Sequence, residues 1–516
     1  MNGPAQTLLD AIRSGGDYSV KEGCASGDCG ACTVVLATPY THASSSSLEA
    51  GASEAGVVVT SSAVPAPSGR TLQEPLIRWT AVNSCLRLSG STRQAKVFTA
   101  QDLPGLNGGS LHPVQQALVD SHASQCGFCT PGFVMSLFAL YMNTVARGET
   151  LTEEQALEAL SGNLCRCTGY KPIVQAALAM QNYPRVVVDE RALLDELLEI
   201  KKARVECSSL PAGAPEETYH QPYSLQAALK LCKQFPNALL AAGTTDAGLW
   251  VTKRLECYAC VIDLNSVAEL LGMRATPEHL SVGAAEPLSR VFPWLLHEWP
   301  ELNTFFSRFA GLPIRNSATL GGNIANGSPI GDSMPLLLAL DAQLVLVSLK
   351  DDVLHSRRVD LKHFYKGYKQ TELQPNEIIQ SILIPRRQPG ELLFAYKISK
   401  RFEDDISAVC MACWIKSVSS KMQSVRIGLG GVAPSPVRAY KTEQTLQGQS
   451  AEEALFEQAA QCIQDEFQPI SDMRASKTYR QRLLGNLLRR LSRDFHGMKD
   501  PSLESLHGSL SRESLL

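Results

Sequence analysis

The stretch KEGCASGDCGACTVV (Lys21–Val35) decides how this chain is read. Cys24, Cys29 and Cys32 follow a C-x4-C-x2-C spacing, and Cys85 in AVNSCL supplies a distant fourth thiol. That spacing is the one used by plant-type [2Fe-2S] centres, in which each iron takes one thiolate pair. Gly23, Gly27 and Gly30 let the backbone wrap closely and leave room for amide groups to face sulfur. TVVLA (Thr33–Ala37) is β-branched at its start and predicts a strand leaving the loop. Structural zinc is the competing reading, although zinc sites usually carry two separated C-x2-C pairs.

A second set, Cys126, Cys129, Cys165 and Cys167, has C-x2-C and C-x-C spacing that leaves zinc and iron–sulfur open. Its surroundings, about 110–180, carry helix-start signals. Pro113, Pro131 and Pro172 each suit a first helical position, Thr130 is placed to cap the Pro131 helix, and Thr152 with Gln155 forms a capping box. Val134, Leu137, Phe138 and Tyr141 recur at helical steps and predict one buried stripe. Four short helices result, with the cysteines at their junctions.

Composition narrows the function class. At 516 residues the chain exceeds a single core, and a prior of roughly 150 residues per domain suggests three or four units. Its apolar fraction of 44% is globular, and a net charge of −3 supplies no basic field for nucleic acid. The longest apolar stretch, Met334–Leu340, is far short of the ~20 residues that cross a bilayer. There is no basic, apolar and small-residue leader pattern, and fifteen cysteines, an odd number in close pairs, read as metal ligands before disulfides. A cytoplasmic protein without nucleic-acid or membrane partners is expected. Pro39–Arg70 is a Ser/Ala-rich loop holding a short strand at Val57–Thr60. The helical stretch Asp189–Lys202 and SSLPAGAPEE form a linker, and Pro501–Leu516 is expected to be disordered.

From about 217, ALLAAG, CVIDL, LSVGA and LVLVS alternate with helical segments, which predicts an α/β or α+β domain. It carries no G-x-G-x-x-G. Two glycine loops stand out instead. LLAAGTTDAG (Leu239–Gly248) is either an anion-binding nest for a pyrophosphate or an ordinary turn. RNSATLGGNIANGSPIGDSMP (Arg315–Pro335) is too polar for simple core. After Phe394 come more strands and two helical stretches, the last with Leu483, Leu484, Leu487, Leu488 and Leu491 on one face and arginines opposite.

Taken together, KEGC-x-x-G-x-CGAC, NSCL, QCGFCTPG (Gln125–Gly132) and GNLCRCTGY (Gly162–Tyr170) resemble the iron–sulfur half of the molybdenum hydroxylases. The resemblance runs over roughly 20–495 and is strongest to the small subunits of the xanthine dehydrogenase type. It implies a multidomain α+β fold: a β-grasp ferredoxin domain over 1–95 lacking its first strand and so left with an open sheet edge, a four-helix [2Fe-2S] domain over 96–182, and a linker over 183–216. A PCMH-type FAD-binding domain over 217–390, a CO-dehydrogenase-flavoprotein-like domain over 391–496 and a tail over 497–516 complete it.

The resemblance further implies that all eight motif cysteines ligate two [2Fe-2S] clusters. FAD contacts are implied for Leu240, Ala241, Ala242, Gly243, Thr244, Thr245, Asp246 and Ala247, then for Phe309, Thr319, Gly322, Asn323, Asp332, Ile379 and Lys397. Tyr368 would shield the flavin where NAD docks, unless it is a half-buried core tyrosine, and Asp404 would act at the nicotinamide side. Cys257 and Cys260, like the other remaining cysteines, are expected to be packed thiols. The implied activity is electron transfer from a molybdopterin-bearing large subunit, in a hetero-oligomer such as a dimer of heterodimers, through the clusters and FAD to NAD during oxidation of hypoxanthine and xanthine. A sister hydroxylase acting on an aldehyde, another N-heterocycle or carbon monoxide, and a redox protein or scaffold without turnover, are the alternatives.

Overall fold

The computed structural model describes residues 3–40, 75–206, 218–402, 404–419 and 421–498. The expected Val57–Thr60 strand, SSLPAGAPEE and the Ser-rich end lie outside them. The run after Cys32 extends as predicted into β1 (Thr33–Pro39), which pairs antiparallel with β2 (Ile77–Asn83) and β3 (Lys96–Phe98) in the order β2-β1-β3. A helix, Leu8–Ser14, is capped by Thr7 and packs Leu8 and Leu9 against Val34, Leu36 and the buried thiols Cys32 and Cys85.

The outer edge of β2 is covered by side chains. Glu190 accepts from the amides of Leu76 (3.0 Å) and Ile77 (3.2 Å) and from the Trp79 indole (3.1 Å). Arg147, Asn143 and Asn316 donate to the carbonyls of Ile77, Trp79 and Ala81. Four side chains thus satisfy edge groups that would otherwise invite pairing. Glu190 begins the helix Glu190–Glu206, so the expected linker helix is also a clamp.

The second cysteine set sits among helices Pro113–Asp120, Thr130–Asn143, Glu153–Leu160 and Lys171–Ala179. The Thr152/Gln155 capping box forms. Two expectations change. Thr130 is the first helical residue, not the cap; Cys129 takes that place, and the Thr130 hydroxyl pairs with Ser124 at 2.7 Å. The Thr130–Asn143 helix is buried on nearly every face instead of along one stripe, because it runs between the ferredoxin sheet and the other helices.

Beyond Thr218 the predicted apolar runs become strands. A parallel sheet, β4 (Thr218–His220), β6 (Cys260–Asp263) and β5 (Leu239–Ala241), precedes a five-stranded sheet ordered β10-β9-β13-β8-β7, with β7 at Met273–Ala275, β8 at His279–Gly283, β9 at Gln343–Lys350, β10 at Val353–Asp360 and β13 at Glu377–Pro385. A small hairpin, β11 (Tyr365–Gly367) and β12 (Gln370–Thr371), intervenes. The last sheet is β14 (Glu391–Ile398), β15 (Val409–Val418), β16 (Lys421–Gly430) and β17 (Val437–Arg438). One apolar core runs through both larger sheets, from Leu344 and Ile382 to Leu393 and Trp414, so the flavin-side elements are packed together. Among the described residues three helices follow rather than two, and Arg480 breaks the leucine-versus-arginine division: it is buried, bound to Asp472 and to the Gly431 carbonyl.

His112 caps the Pro113 helix, its Nδ1 accepting from the Val114 amide at 3.3 Å, and it is fully buried against Phe138 and Tyr141. Burial lowers its pKa to about 4. Between its ordinary value near 6.5 and 4 the unfolded chain binds a proton that the folded chain refuses, so stability is whole above that window and falls with pH inside it. Thermal unfolding of His112→Asn, which keeps a capping acceptor, should therefore lose less stability than the parent on acidification to pH 4, the difference approaching roughly 3 kcal/mol. Parallel pH profiles would contradict this role.

Candidate functional site

The first four thiols meet in pairs. Cys24 and Cys29 are half-buried; Cys32 and Cys85 are buried. A hydrogen bond from Cys29 lowers the Cys24 pKa to about 4 and drives that of Cys29 far up; Cys85 and Cys32 are related in the same way. Each pair thus lies close enough for its two sulfurs to meet one metal. The Ser26 amide faces the Cys24 sulfur at 3.4 Å, and Asn83 and Ser84 hold the carbonyls of Gly27 and Cys32. Among the described residues no three His, Cys, Asp or Glu side chains converge as a single-ion site. Two-plus-two is the arrangement a two-iron cluster needs, since each iron takes one pair.

Cys126 pairs with Cys167, both exposed, and Cys129 with Cys165, both half-buried. Burial and the Cys165 contact push Cys129 up to about 12. Burial opposes the shift at Cys165, but the Thr168 hydroxyl at 3.3 Å and neighbouring amides outweigh it and bring that thiol to about 7. The two sets touch: the Leu164 amide donates to the Cys29 carbonyl at 3.0 Å, and Asn163, held by Ser136, donates to the Gly30 carbonyl at 3.1 Å.

The two glycine loops meet around a cavity of ≈ 260 Å³. Gly243 packs so closely on the second loop that a Cβ there would lie 2.0 Å from the Ser317 carbonyl oxygen. Of the expected residues, Leu240, Ala242, Gly243, Thr244, Thr245, Asp246, Ala247, Thr319, Gly322, Asn323 and Ile379 line the cavity. Thr319 caps the helix Leu320–Asn326 by accepting from Gly322. Asp246 is held above the usual carboxylate range by burial, against the opposing effects of Lys369 and Asn326. Ala284, Ala285 and Leu270 add an apolar wall, so the cleft combines a hydrophobic floor with a few polar groups, as a dinucleotide requires.

Other expected residues lie elsewhere. Ala241 is buried in β5. Asp332 and Lys397 form a buried ion pair at 2.6 Å, with Ser407 at 3.2 Å from the same ammonium. It connects to the cleft through neighbouring Ser333, which donates to Asn323. Phe309 packs edge-on against Phe292. Tyr368 is 60% exposed at the β11–β12 turn, which removes the core-tyrosine alternative. Asp404 sits in left-handed backbone, φ 53°. Sequence reading missed Trp250, Asn326 and Glu377, which also line the cavity. Asn326 lay inside the quoted second loop and Trp250 just past the first, so only their direction was hidden. Cys257 is exposed and Cys260 buried, and every described cysteine is a free thiol.

Known protein families match along the same stretches. Residues 2–60 match the 2Fe-2S iron-sulfur cluster binding domain and 99–178 the [2Fe-2S] binding domain. Residues 214–387 match the FAD binding domain in molybdopterin dehydrogenase, and 394–495 the CO dehydrogenase flavoprotein C-terminal domain. The chain belongs to the molybdenum hydroxylase family, as an iron–sulfur and FAD component. Xanthine dehydrogenase 2 of Arabidopsis thaliana is 30% identical, over 89% of this chain and 36% of that protein. Xanthine dehydrogenase of Drosophila subobscura is 31% identical, over 88% and 35%. This molybdenum hydroxylase component thus spans about a third of the length of the curated relatives it matches. Among solved structures, a carbon monoxide dehydrogenase from Hydrogenophaga pseudoflava is similar at TM-score 0.50 and 26% identity, covering 54% of this chain and 96% of that one. A reconstituted CO dehydrogenase from Oligotropha carboxidovorans gives TM-score 0.50 and 26% identity, covering 55% and 96%.

The Gly243 contact yields a direct test of the cleft. Gly243→Val should push the two loops apart and weaken FAD binding at least about tenfold, ~1.4 kcal/mol, read from flavin per purified chain and from a flavin-fluorescence titration. Iron content should stay at the parent value. Undiminished flavin affinity would show that the cleft is not where FAD sits.

Proposed function

We propose that this chain is the electron-transfer subunit of a xanthine dehydrogenase, serving a molybdopterin-bearing partner chain that oxidises hypoxanthine and xanthine to urate, with NAD as acceptor. The observation that carries this reading is coverage. The xanthine dehydrogenases match about nine-tenths of the chain, cluster and flavin stretches together, whereas the CO dehydrogenase chains cover just over half of it. Those chains favour the second reading, the equivalent component of another molybdenum hydroxylase.

Cys24, Cys29, Cys32 and Cys85 would hold one cluster, Cys126, Cys129, Cys165 and Cys167 the other, and the cleft FAD. When bound, clusters supply one-electron and flavin two-electron chemistry. The loops at Gly243–Ala247 and Thr319–Asn323 would bind the dinucleotide, with Ile379 at its wall. Phe309, Asp332 and Lys397 would lie behind them, the ion pair fixing a cation beside the second loop. Exposed Tyr368 and half-buried Asp404 would face the nicotinamide.

The partner's place is supported by exposed Cys126 and Cys167, which stand among the exposed apolar side chains of Phe128, Leu164 and Tyr170. A second chain covering this patch would exclude water from the outer cluster. No described helix is long and apolar enough to cross a membrane, and free, closely spaced thiols suit the cytoplasm.

Co-expression with the molybdopterin-bearing large chain, followed by an assay of xanthine-dependent NAD reduction, tests the reading. We expect NADH formation with xanthine and hypoxanthine. Turnover of aldehydes with none of purines would assign the chain to a sister enzyme, and reduction of another acceptor without NADH would remove Tyr368 and Asp404 from their proposed role.

A further inference from the structure

The short helix Ala247–Thr252, with Lys253 after it, touches both the flavin cleft and the ferredoxin-type cysteine set. Ala247 and Trp250 line the cleft. Leu249, one position earlier than Trp250, packs into the apolar cluster that contains Cys32, Cys85 and Leu86. Gly248 lies so close to the Cys85 turn that a Cβ would fall 2.7 Å from the Leu86 carbonyl oxygen, and the Thr244 hydroxyl donates to that same oxygen at 2.9 Å. At the other end, Thr252 donates to the Ala25 carbonyl at 2.9 Å and the Lys253 ammonium to the Cys24 carbonyl at 2.5 Å. One continuous segment, Thr244–Lys253, therefore grips the three-cysteine loop and the fourth cysteine's turn from the flavin side.

We infer that Thr252 and Lys253 are positioning residues for the ferredoxin-domain cluster, and that the helix they end makes the electronic environment of that cluster depend on whether the flavin cleft is filled. This rests on the proposed assignment of cluster and FAD to the two sites. The physical basis is twofold. Cluster potential responds to net charge and to hydrogen bonding around the sulfurs, and a cation beside a ligand favours the more negative, reduced form. Lys253 therefore brings a positive charge from the flavin domain to the backbone of a proposed cluster ligand, at the Cys24 carbonyl. A dinucleotide bound against Thr244, Ala247 and Trp250 would press on the same helix that sets Thr252 and Lys253 against the cysteine loop.

The helical-domain cluster provides an internal control, since the Thr252 and Lys253 side chains donate to carbonyls of the first cysteine loop, at Ala25 and Cys24. The test is an EPR-monitored redox titration of the full chain, with the two signals assigned by Cys167→Ser. In Lys253→Met the ferredoxin-domain signal should move to lower midpoint potential with altered g-values, while the helical-domain signal stays in place and Lys253→Arg restores the parent behaviour. Stripping FAD with a chaotropic salt should perturb the ferredoxin-domain signal of the parent, and readdition should reverse it; in Thr252→Val/Lys253→Met that response should be lost.

Unchanged signals in Lys253→Met, equal shifts at both clusters, or a parent indifferent to flavin removal would overturn the inference. Should Lys253→Met fail to assemble the cluster, Lys253→Arg decides: recovery supports positioning, and failure of both contradicts it. A parent chain that carries no cluster signals or no flavin would instead refute the underlying assignment.

Discussion

Four glycines in contact hold the architecture together. A Cβ on Gly132 would lie 2.1 Å from the Gly30 carbonyl oxygen, one on Gly30 2.3 Å from that of Gly162, and one on Gly311 2.5 Å from the Gly162 Cα. These contacts bring the Pro131 helix, the first cysteine loop, the second cysteine loop and the flavin domain to one point. No side chain fits between them, and Gly30 also has φ 66°, where other residues are strained. The close approach lets the amide of Leu164, the residue before Cys165, reach the Cys29 carbonyl and so ties the second cysteine loop to the first by one hydrogen bond.

Polar contacts secure the same junction from the flavin side. Arg315 is buried, bonds Glu158 at 2.6 Å and donates to the Phe306 carbonyl, while the Leu312 amide donates to Ser161. Removing either member of a partly buried pair leaves the other charge uncompensated, at a cost of up to ~3–5 kcal/mol when burial is complete. The turn that carries Cys165 and Cys167 is thus fixed by residues about 150 positions away in sequence, and Glu190 fixes the ferredoxin sheet in the same long-range manner.

What could be read in the sequence was what depends on neighbours in the chain. The cysteine spacings, the strand after Cys32, the Thr152/Gln155 box and the two glycine loops are local patterns, and each stands where it was expected. What could not be read depends on distant partners. Thr130 fits a cap by type but finds Ser124 instead. Glu190 looks like one charge in a solvated linker helix until β2 is beside it. Asp332 lies in the second loop and pairs with Lys397, yet neither they nor Phe309 line the cavity, a distinction of direction that no spacing encodes. Trp250 and Leu249 are adjacent residues serving different sites, and only the packed helix separates them.

The central claim is that one rigid junction sets both cysteine groups within a single hydrogen bond of each other. Low-temperature EPR of the fully reduced chain tests this most directly. The account predicts two distinguishable [2Fe-2S] signals whose lines are broadened or split by mutual magnetic coupling, with the coupling lost when either cluster is removed by a cysteine substitution. Two signals that simply add, with no trace of interaction, would contradict it.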